Sequence, residues 1–224
     1  MGTEEEKNVR VSVRNLVEFI LRSGDIDNRT SGTMEKEAML MGGRLHRKIQ
    51  RSMGADYHAE VGLKISIPCT GFQIQVEGRA DGVIIREENG APAVTIDEIK
   101  GVLRDLEHIS EPVEVHLAQA KCYAYIYASQ NDLKRIGVQM TYCHLDTEEI
   151  KRFNKEYTID ELAVWFTELI KQYEKWAEFQ IEWERKRNAS IKQTEFPFTY
   201  RPGQRHVAAA VYRTILRKMK VVIQ

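Results

Sequence analysis

The feature that most constrains this chain is a turn signal, Asn89-Gly90, set between two apolar segments, Ala80 to Arg86 and Ala93 to Lys100. Asn-Gly supplies the positive φ angles that a two-residue type I′ turn demands, so the segments read as an antiparallel hairpin. A two-residue turn fixes the register and places Asp81 opposite Glu98. Opposed residues have Cβ atoms roughly 4.5–5.5 Å apart on one face, and like charges there are destabilising unless something positive joins them. A divalent cation that prefers hard oxygen ligands, Mg²⁺ or Mn²⁺, would do so. Lys100 lies two residues past Glu98 on the same strand face, where its ammonium could offset charge on a phosphate or help a water lose its proton. Two other readings stand beside this one. Ala91-Pro92 could widen the loop, and a one-residue slip would put Ile99 opposite Asp81. The charges could also be solvated strand ends. Val83, Ile84 and Ile85, with Val94, Ile96 and Ile99, read instead as strands buried on both faces, where an unpartnered carboxylate pair is costly.

Around this hairpin the periodicity predicts helices over Val11–Leu21, about Thr33–Ser52, Pro112–Ala128 and Ile159–Arg187. In the second of these Ala38, Met41, Leu45 and Ile49 share one side. A polar turn, Ser23–Ser31, separates the first two. Alternation predicts strands over Glu60–Pro68, Phe72–Val76 and Leu133–Leu145. Strands flanked in sequence by helices imply an α/β fold with a mixed central sheet covered by helices. The long charged helix carries Trp165, Trp176 and Trp183, read as its dock on the sheet. From about Thr194 the chain turns aromatic and turn-rich, then helical from Gln204 to about Lys218, and Val221–Gln224 reads as a strand beginning. The division expected is a first domain over 1–190 and an incomplete second over 191–224.

Lys plus Arg number 33 and Asp plus Glu number 33, so any nucleic-acid surface must be a local patch. Apolar runs such as Val83–Ile85 are too short to span a bilayer, and the acidic start Met1–Glu6 lacks the regions of a signal peptide. The expectation is a cytoplasmic protein with no membrane partner. Cys69, Cys122 and Cys143 are odd in number and widely spaced, which argues for packed, reduced thiols and against a disulfide framework or a zinc knuckle.

Two helices bear further candidates. Gly42 and His46 are one turn apart. A glycine inside a helix costs roughly 1 kcal/mol against alanine, and close approach of backbone or ligand at that face would explain it. A neutral imidazole is a common metal ligand, but a histidine among Arg44, Arg47 and Lys48 reads equally as solvated. Gln119 and Tyr123 share a face, with His116 a turn earlier and Ala118, Cys122 and Ile126 as the packing stripe beside them. They could bond phosphate oxygens or orient Lys100. Tyr123 equally could be a core tyrosine, like Tyr125 and Tyr127.

Together these residues resemble the PD-(D/E)XK nuclease superfamily, in its RecB-like exonuclease branch, over roughly residues 35 to 145. Gly78–Gly82 (GRADG) looks like the family's metal-binding Asp motif, and Asp97–Lys100 (DEIK) like its E-x-K motif. His116–Tyr125 (HLAQAKCYAY) is similar to its Q-x-x-x-Y motif, and Gly42–His46 (GGRLH) to its G-x-x-x-H motif. The resemblance implies a restriction-endonuclease-like mixed sheet flanked by helices. It implies Mg²⁺ or Mn²⁺ bound by His46, Asp81, Glu98 and the backbone carbonyl of Ile99. It makes Asp81, Glu98, Lys100, Gln119 and Tyr123 the catalytic set. The reaction implied is hydrolysis of DNA phosphodiester bonds, as an exonuclease acting on single-stranded or duplex ends. Gln119, Tyr123 and basic residues such as Arg79, Arg44, Arg47, Lys48 and Lys121 would hold the substrate. Several RecB-like exonucleases carry an iron–sulfur cluster on one upstream and three downstream cysteines. With three cysteines and none after Cys143, no cluster is expected here. Phe198–Ile215 (FTYRPGQRHVAAAVYRTI) resembles the opening of DinG/XPD-type superfamily 2 helicases, in which the glutamine, here Gln204, contacts adenine. The phosphate loop that would follow is absent, so the chain reads as the nuclease part of a nuclease–helicase fusion in DNA repair or processing. The competing reading is a catalytically inactive DNA-binding module of a helicase, against which the intact Asp81, Glu98 and Lys100 argue.

Overall fold

A computed structural model describes residues 7–24, 32–88, 90–195 and 197–222. The start 1–6, residues 25–31 of the polar turn, Asn89, Phe196 and residues 223–224 lie outside the described residues, as does the side chain of Ala38. The elements are β1 (Lys7–Ser12), α1 (Val13–Leu21), α2 (Gly32–Ser52), β2 (Tyr57–Cys69), β3 (Phe72–Glu88), β4 (Ala91–Val102), α3 (Glu114–Gln130), β5 (Arg135–His144), β6 (Ile150–Thr158), α4 (Ile159–Ile191) and α5 (Gln204–Leu216). Residues 1–181 and 182–224 form two compact units.

The first unit is built on one mixed sheet, as the α/β expectation had it. β3 organises it. Along one edge β3 pairs antiparallel with β2. Along the other it pairs parallel with β1 from Phe72 to Glu77, then antiparallel with β4 from Gly82 to Glu88. β4 pairs parallel with β5, and β5 antiparallel with β6. The parallel β4–β5 step requires a crossover, which α3 provides. Ile99 of β4 clusters with Leu45 and Ile49 of α2, whereas its neighbour Lys100 bonds Gln119 of α3. Successive strand residues point to opposite faces, so α2 and α3 lie on opposite faces of the sheet.

The sequence of α3 suits its central place. Ala118, Ala120, Ala124 and Ala128 are small enough for the helix to lie close on the sheet, and Cys122 and Ile126 are fully buried between them. Burial of a side chain like Ile126 contributes roughly 1.5–3 kcal/mol. Tyr125 faces away and stacks on Phe166 of α4, ring centroids 4.5 Å apart. α4 starts with a reciprocal cap: Thr158 Oγ1 accepts the Glu161 N–H, and Glu161 Oε2 accepts the Thr158 N–H at 2.8 Å. Its buried stripe is Leu162, Phe166, Leu169, Ile170, Tyr173 and Ala177.

The helix expected over Val11–Leu21 begins two residues later, because Val11 and Ser12 close β1, and Ser12 Oγ caps α1 by accepting the Asn15 N–H at 3.1 Å. The strands Phe72–Val76 and Ala80–Arg86 are one continuous strand, and β6 is an additional edge strand. Of the three tryptophans, Trp165 packs against the margin of the core, whereas the main seat of α4 is its buried stripe. Trp165 lies against the Lys121 ammonium, 3.8 Å from ring centroid to Nζ, Trp176 packs on Phe19, and Trp183 is exposed. The three cysteines are free thiols, with Cys122 and Cys143 buried. In the second unit α5 follows Gly203, whose φ of 83° suits glycine. Val221 and Val222 are not in a strand. Among the described residues no helix is long and apolar enough to cross a membrane.

Candidate active site

The segment Gly78–Asp81 falls between the stretch of β3 that pairs with β1 and the stretch that pairs with β4, so this edge of the sheet is open there. The open edge coincides with a switch in the strand's face. Ile74, Val76 and Ala80, all even-numbered, are in the core, and beyond Asp81 the odd-numbered Val83 and Ile85 take that side. On β2 the ladder pairs Ala59 with Gly82 and Val61 with Ala80. Between them Glu60 sits opposite Asp81 with a φ of 58°, a left-handed conformation uncommon outside glycine. Such irregularities bend a strand and re-aim its side chains.

Two glycines of the GRADG stretch are explained by packing. A Cβ on Gly78 would lie 2.7 Å from Tyr123 Oη, and one on Gly82 would lie 2.0 Å from Tyr57 Cζ and Oη. Each glycine leaves room for a tyrosine ring. Gly42 is different: a Cβ there would meet no protein atom within 4 Å, so packing within the chain does not explain it.

The hairpin register is the expected one, from Glu88–Ala91 to Gly82–Asp97, and the slipped alternative does not occur. The ladder stops one step before Asp81 and Glu98, however, so these two do not form a rung. Asp81 Oδ2 accepts the Ile99 N–H at 2.8 Å, and its Oδ1 lies 3.6 Å from His46 Nδ1. Burial disfavours the His46 imidazolium, but the hydrogen-bonding and charge of Asp81 outweigh it and hold the histidine pKa above its usual value. Gln50, one turn beyond His46, donates through Nε2 to the Asp81 carbonyl and to Glu60 Oε1, both at 2.9 Å. The Asp81 carbonyl is thus tied to α2.

Glu98 points to the α3 face. Its Oε1 pairs with Lys100 Nζ at 2.8 Å, and Lys100 donates to Gln119 Oε1 at 2.7 Å. Glu98 Oε2 is buried and has no hydrogen-bond partner. Burial raises the Glu98 pKa, the Lys100 ammonium pulls it back, and Asp81 adds to the rise. An unpartnered buried carboxylate oxygen is rare and calls for an explanation. A cation at this place would supply one, and the donors nearby, an imidazole and two carboxylates, suit Mg²⁺ or Mn²⁺. As the side chains stand, among the described residues no three of His, Cys, Asp or Glu are gathered closely enough to hold an ion. His46 and Asp81 meet, while Glu98 is turned toward Lys100.

The other sequence candidates sit as follows. Gln119 is buried and bonded to Lys100. Tyr123 is buried, with its ring over Gly78. The Arg79 guanidinium is exposed and paired with Glu60. Lys48 is paired with Glu148, and Lys121 is spent on Trp165, so neither is a free phosphate ligand as it stands. Gln204 lies in the second unit, where its Oε1 accepts the Arg201 N–H at 2.9 Å.

Sequence reasoning passed over Gln50, Tyr57, Asp97, Gln139 and Thr141. Gln50 had a signal, one helical turn from His46. Asp97 had one too, a carboxylate at an apolar-flanked strand position. It is fully buried, where Oδ1 accepts Thr141 Oγ1 at 2.6 Å and Gln139 Nε2 at 3.0 Å, and Oδ2 accepts Tyr57 Oη at 3.1 Å.

No protein-family model matches this chain, and no curated protein does. Among solved structures it is similar to SSO0001, with 17% identity and a TM-score of 0.48 over 76% of this chain and 78% of that one. It is also similar to an alkaline exonuclease (LHK-Exo) from Laribacter hongkongensis, with 13% identity and a TM-score of 0.45 over 81% of this chain and 94% of that one.

Proposed function

We propose that the first unit is a metal-dependent DNA nuclease of the PD-(D/E)XK superfamily, RecB-like branch, acting as an exonuclease. The observation that carries the reading is the buried, unpartnered Glu98 Oε2 beside the Lys100 ammonium, at an open sheet edge where Asp81 and His46 also meet. Mg²⁺ or Mn²⁺ would be held by His46, Asp81, Glu98 and the Ile99 carbonyl, and would supply Lewis-acid polarisation of a phosphodiester.

The chain's own groups perform the rest. Lys100 has three N–H donors and spends two on Glu98 and Gln119, which leaves one for a non-bridging phosphate oxygen. There it offsets the negative charge that develops as the bond to the leaving oxygen breaks. Gln119 holds the ammonium in place, and the Tyr123 ring packs over Gly78 at the open edge. Arg79 meets the substrate backbone once a phosphate replaces Glu60 as its partner. The substrate is a DNA strand end, single-stranded or duplex. Residues 191–224 belong, in this reading, to the start of a covalently linked helicase domain.

The test is digestion of end-labelled oligonucleotides with Mn²⁺, Mg²⁺ or chelator. Wild type should cut with metal only, and Glu98→Gln and Lys100→Ala should each lower the rate by about 10²-fold or more. Cleavage that is equal in Lys100→Ala would end the proposal. DNA binding without cleavage by wild type would favour the inactive binding module instead.

A further inference from the structure

We infer that Tyr57, Asp97 and Thr141 form a staple that positions the Asp81 and Glu98 carboxylates for metal. The inference rests on the nuclease reading above. Its starting point is where the β3–β4 ladder ends. Gly82–Asp97 is the last rung, and both proposed ligands lie one residue past it. No further rung fixes Asp81 relative to Glu98. Asp81 itself bonds the Ile99 N–H, and the Asp97 side chain of that last rung ties the strands around the pair.

Tyr57 comes from β2, and its ring occupies the place of a Gly82 side chain on β3. Its hydroxyl reaches across to Asp97 on β4 at 3.1 Å. From the opposite side, Thr141 and Gln139 of β5 donate to the other carboxylate oxygen. One buried carboxylate on β4 therefore ties in β5 on one side and, across the intervening β3, β2 on the other, at the level of the site. A charged group in that position is a poor choice for stability alone, since an apolar residue would avoid its desolvation. A carboxylate with three donors has something an apolar residue lacks, which is direction. Each hydrogen bond loses strength when its strand shifts, so the strands are held in place as well as together.

The substitutions Tyr57→Phe and Thr141→Val remove one hydroxyl each and keep the shape. They are compared with wild type and with Thr141→Ser, which retains the hydroxyl. Mn²⁺ binding is followed by the EPR signal of free Mn²⁺, and cleavage of a labelled oligonucleotide is followed over a range of Mn²⁺. Tyr57→Phe and Thr141→Val should weaken Mn²⁺ binding roughly tenfold, the scale found for groups that orient metal ligands. The KM for DNA should not change, excess Mn²⁺ should restore most of kcat, and Thr141→Ser should bind like wild type. Variants that bind Mn²⁺ as wild type does would overturn the staple and leave the nuclease reading intact. So would a loss of activity that only tracks the folded fraction, or failure of both variants to fold at low temperature. A wild type that binds no Mn²⁺ and cuts nothing would overturn the nuclease reading, and the staple with it.

Discussion

Gly82→Ala perturbs the point where three strands meet. A methyl group there would lie 2.0 Å from Tyr57 Cζ and Oη and 2.5 Å from Cε2, far inside van der Waals contact. The backbone is held by pairs on both edges, to Ala59 and to Asp97, so the tyrosine must yield. When its ring swings away, the hydroxyl leaves Asp97. A hydrogen bond to a charged group contributes about 1.5–3 kcal/mol, and misplaced packing adds about 1 kcal/mol or more. The variant should therefore lose roughly 2–4 kcal/mol, read from urea unfolding followed by circular dichroism. A double-mutant cycle isolates the cause. With Tyr57→Leu already in place the alanine has less to displace, so the two substitutions should cost clearly less together than their sum. A Gly82→Ala protein within 0.5 kcal/mol of wild type, or costs that add, would refute the argument that Tyr57 requires the glycine.

Gln50→Ala leaves the Asp81 carbonyl without its donor and should lower stability by about 1–2 kcal/mol in thermal melts, while Gln50→Glu, which cannot donate, should not rescue it. His116 is held neutral: burial, then the Lys100 charge, lowers its pKa to about 4, and its Nδ1 lies 3.2 Å from the Tyr142 hydroxyl. Because the folded value is depressed, the stabilisation is present above the usual histidine pKa and fades as pH falls toward 4. Wild type should lose about 2 kcal/mol between pH 7 and pH 5 from this group, and His116→Gln should lose less by that amount. Equal losses in the two proteins, measured by urea midpoints, would contradict it. Nuclease activity should also fall steeply with added salt if exposed arginines hold the DNA backbone, and a flat salt profile would argue against that contact.

The sequence carried the hairpin register because Asn-Gly fixes a turn, and a turn fixes every rung behind it. It carried α3, and it offered the contact from Gln119 to Lys100 as one of the roles open to that helix face. The aim of Asp81 was not legible. It depends on a switch of strand face that Gly78 and Gly82, having no side chains, leave out of the apolar pattern. The left-handed Glu60 that accompanies the switch also has no sequence signature. β1 was hidden because Val9 and Val11 run into the apolar face of α1, and β6 because Lys151, Arg152, Lys155 and Glu156 give it the charge of an exposed edge. Trp176 and Trp183 misled through their size, since the stripe that buries α4 is made of Leu162, Phe166, Leu169, Ile170, Tyr173 and Ala177.

The most direct test of the metal site is a crystal soaked in Mn²⁺ and measured at the manganese absorption edge. An anomalous peak should lie within coordination distance of Glu98 Oε2, Asp81 and His46, with Glu98 turned from Lys100 toward the ion. A crystal saturated with Mn²⁺ that shows no peak at the open edge of β3, or shows one only elsewhere, would contradict it.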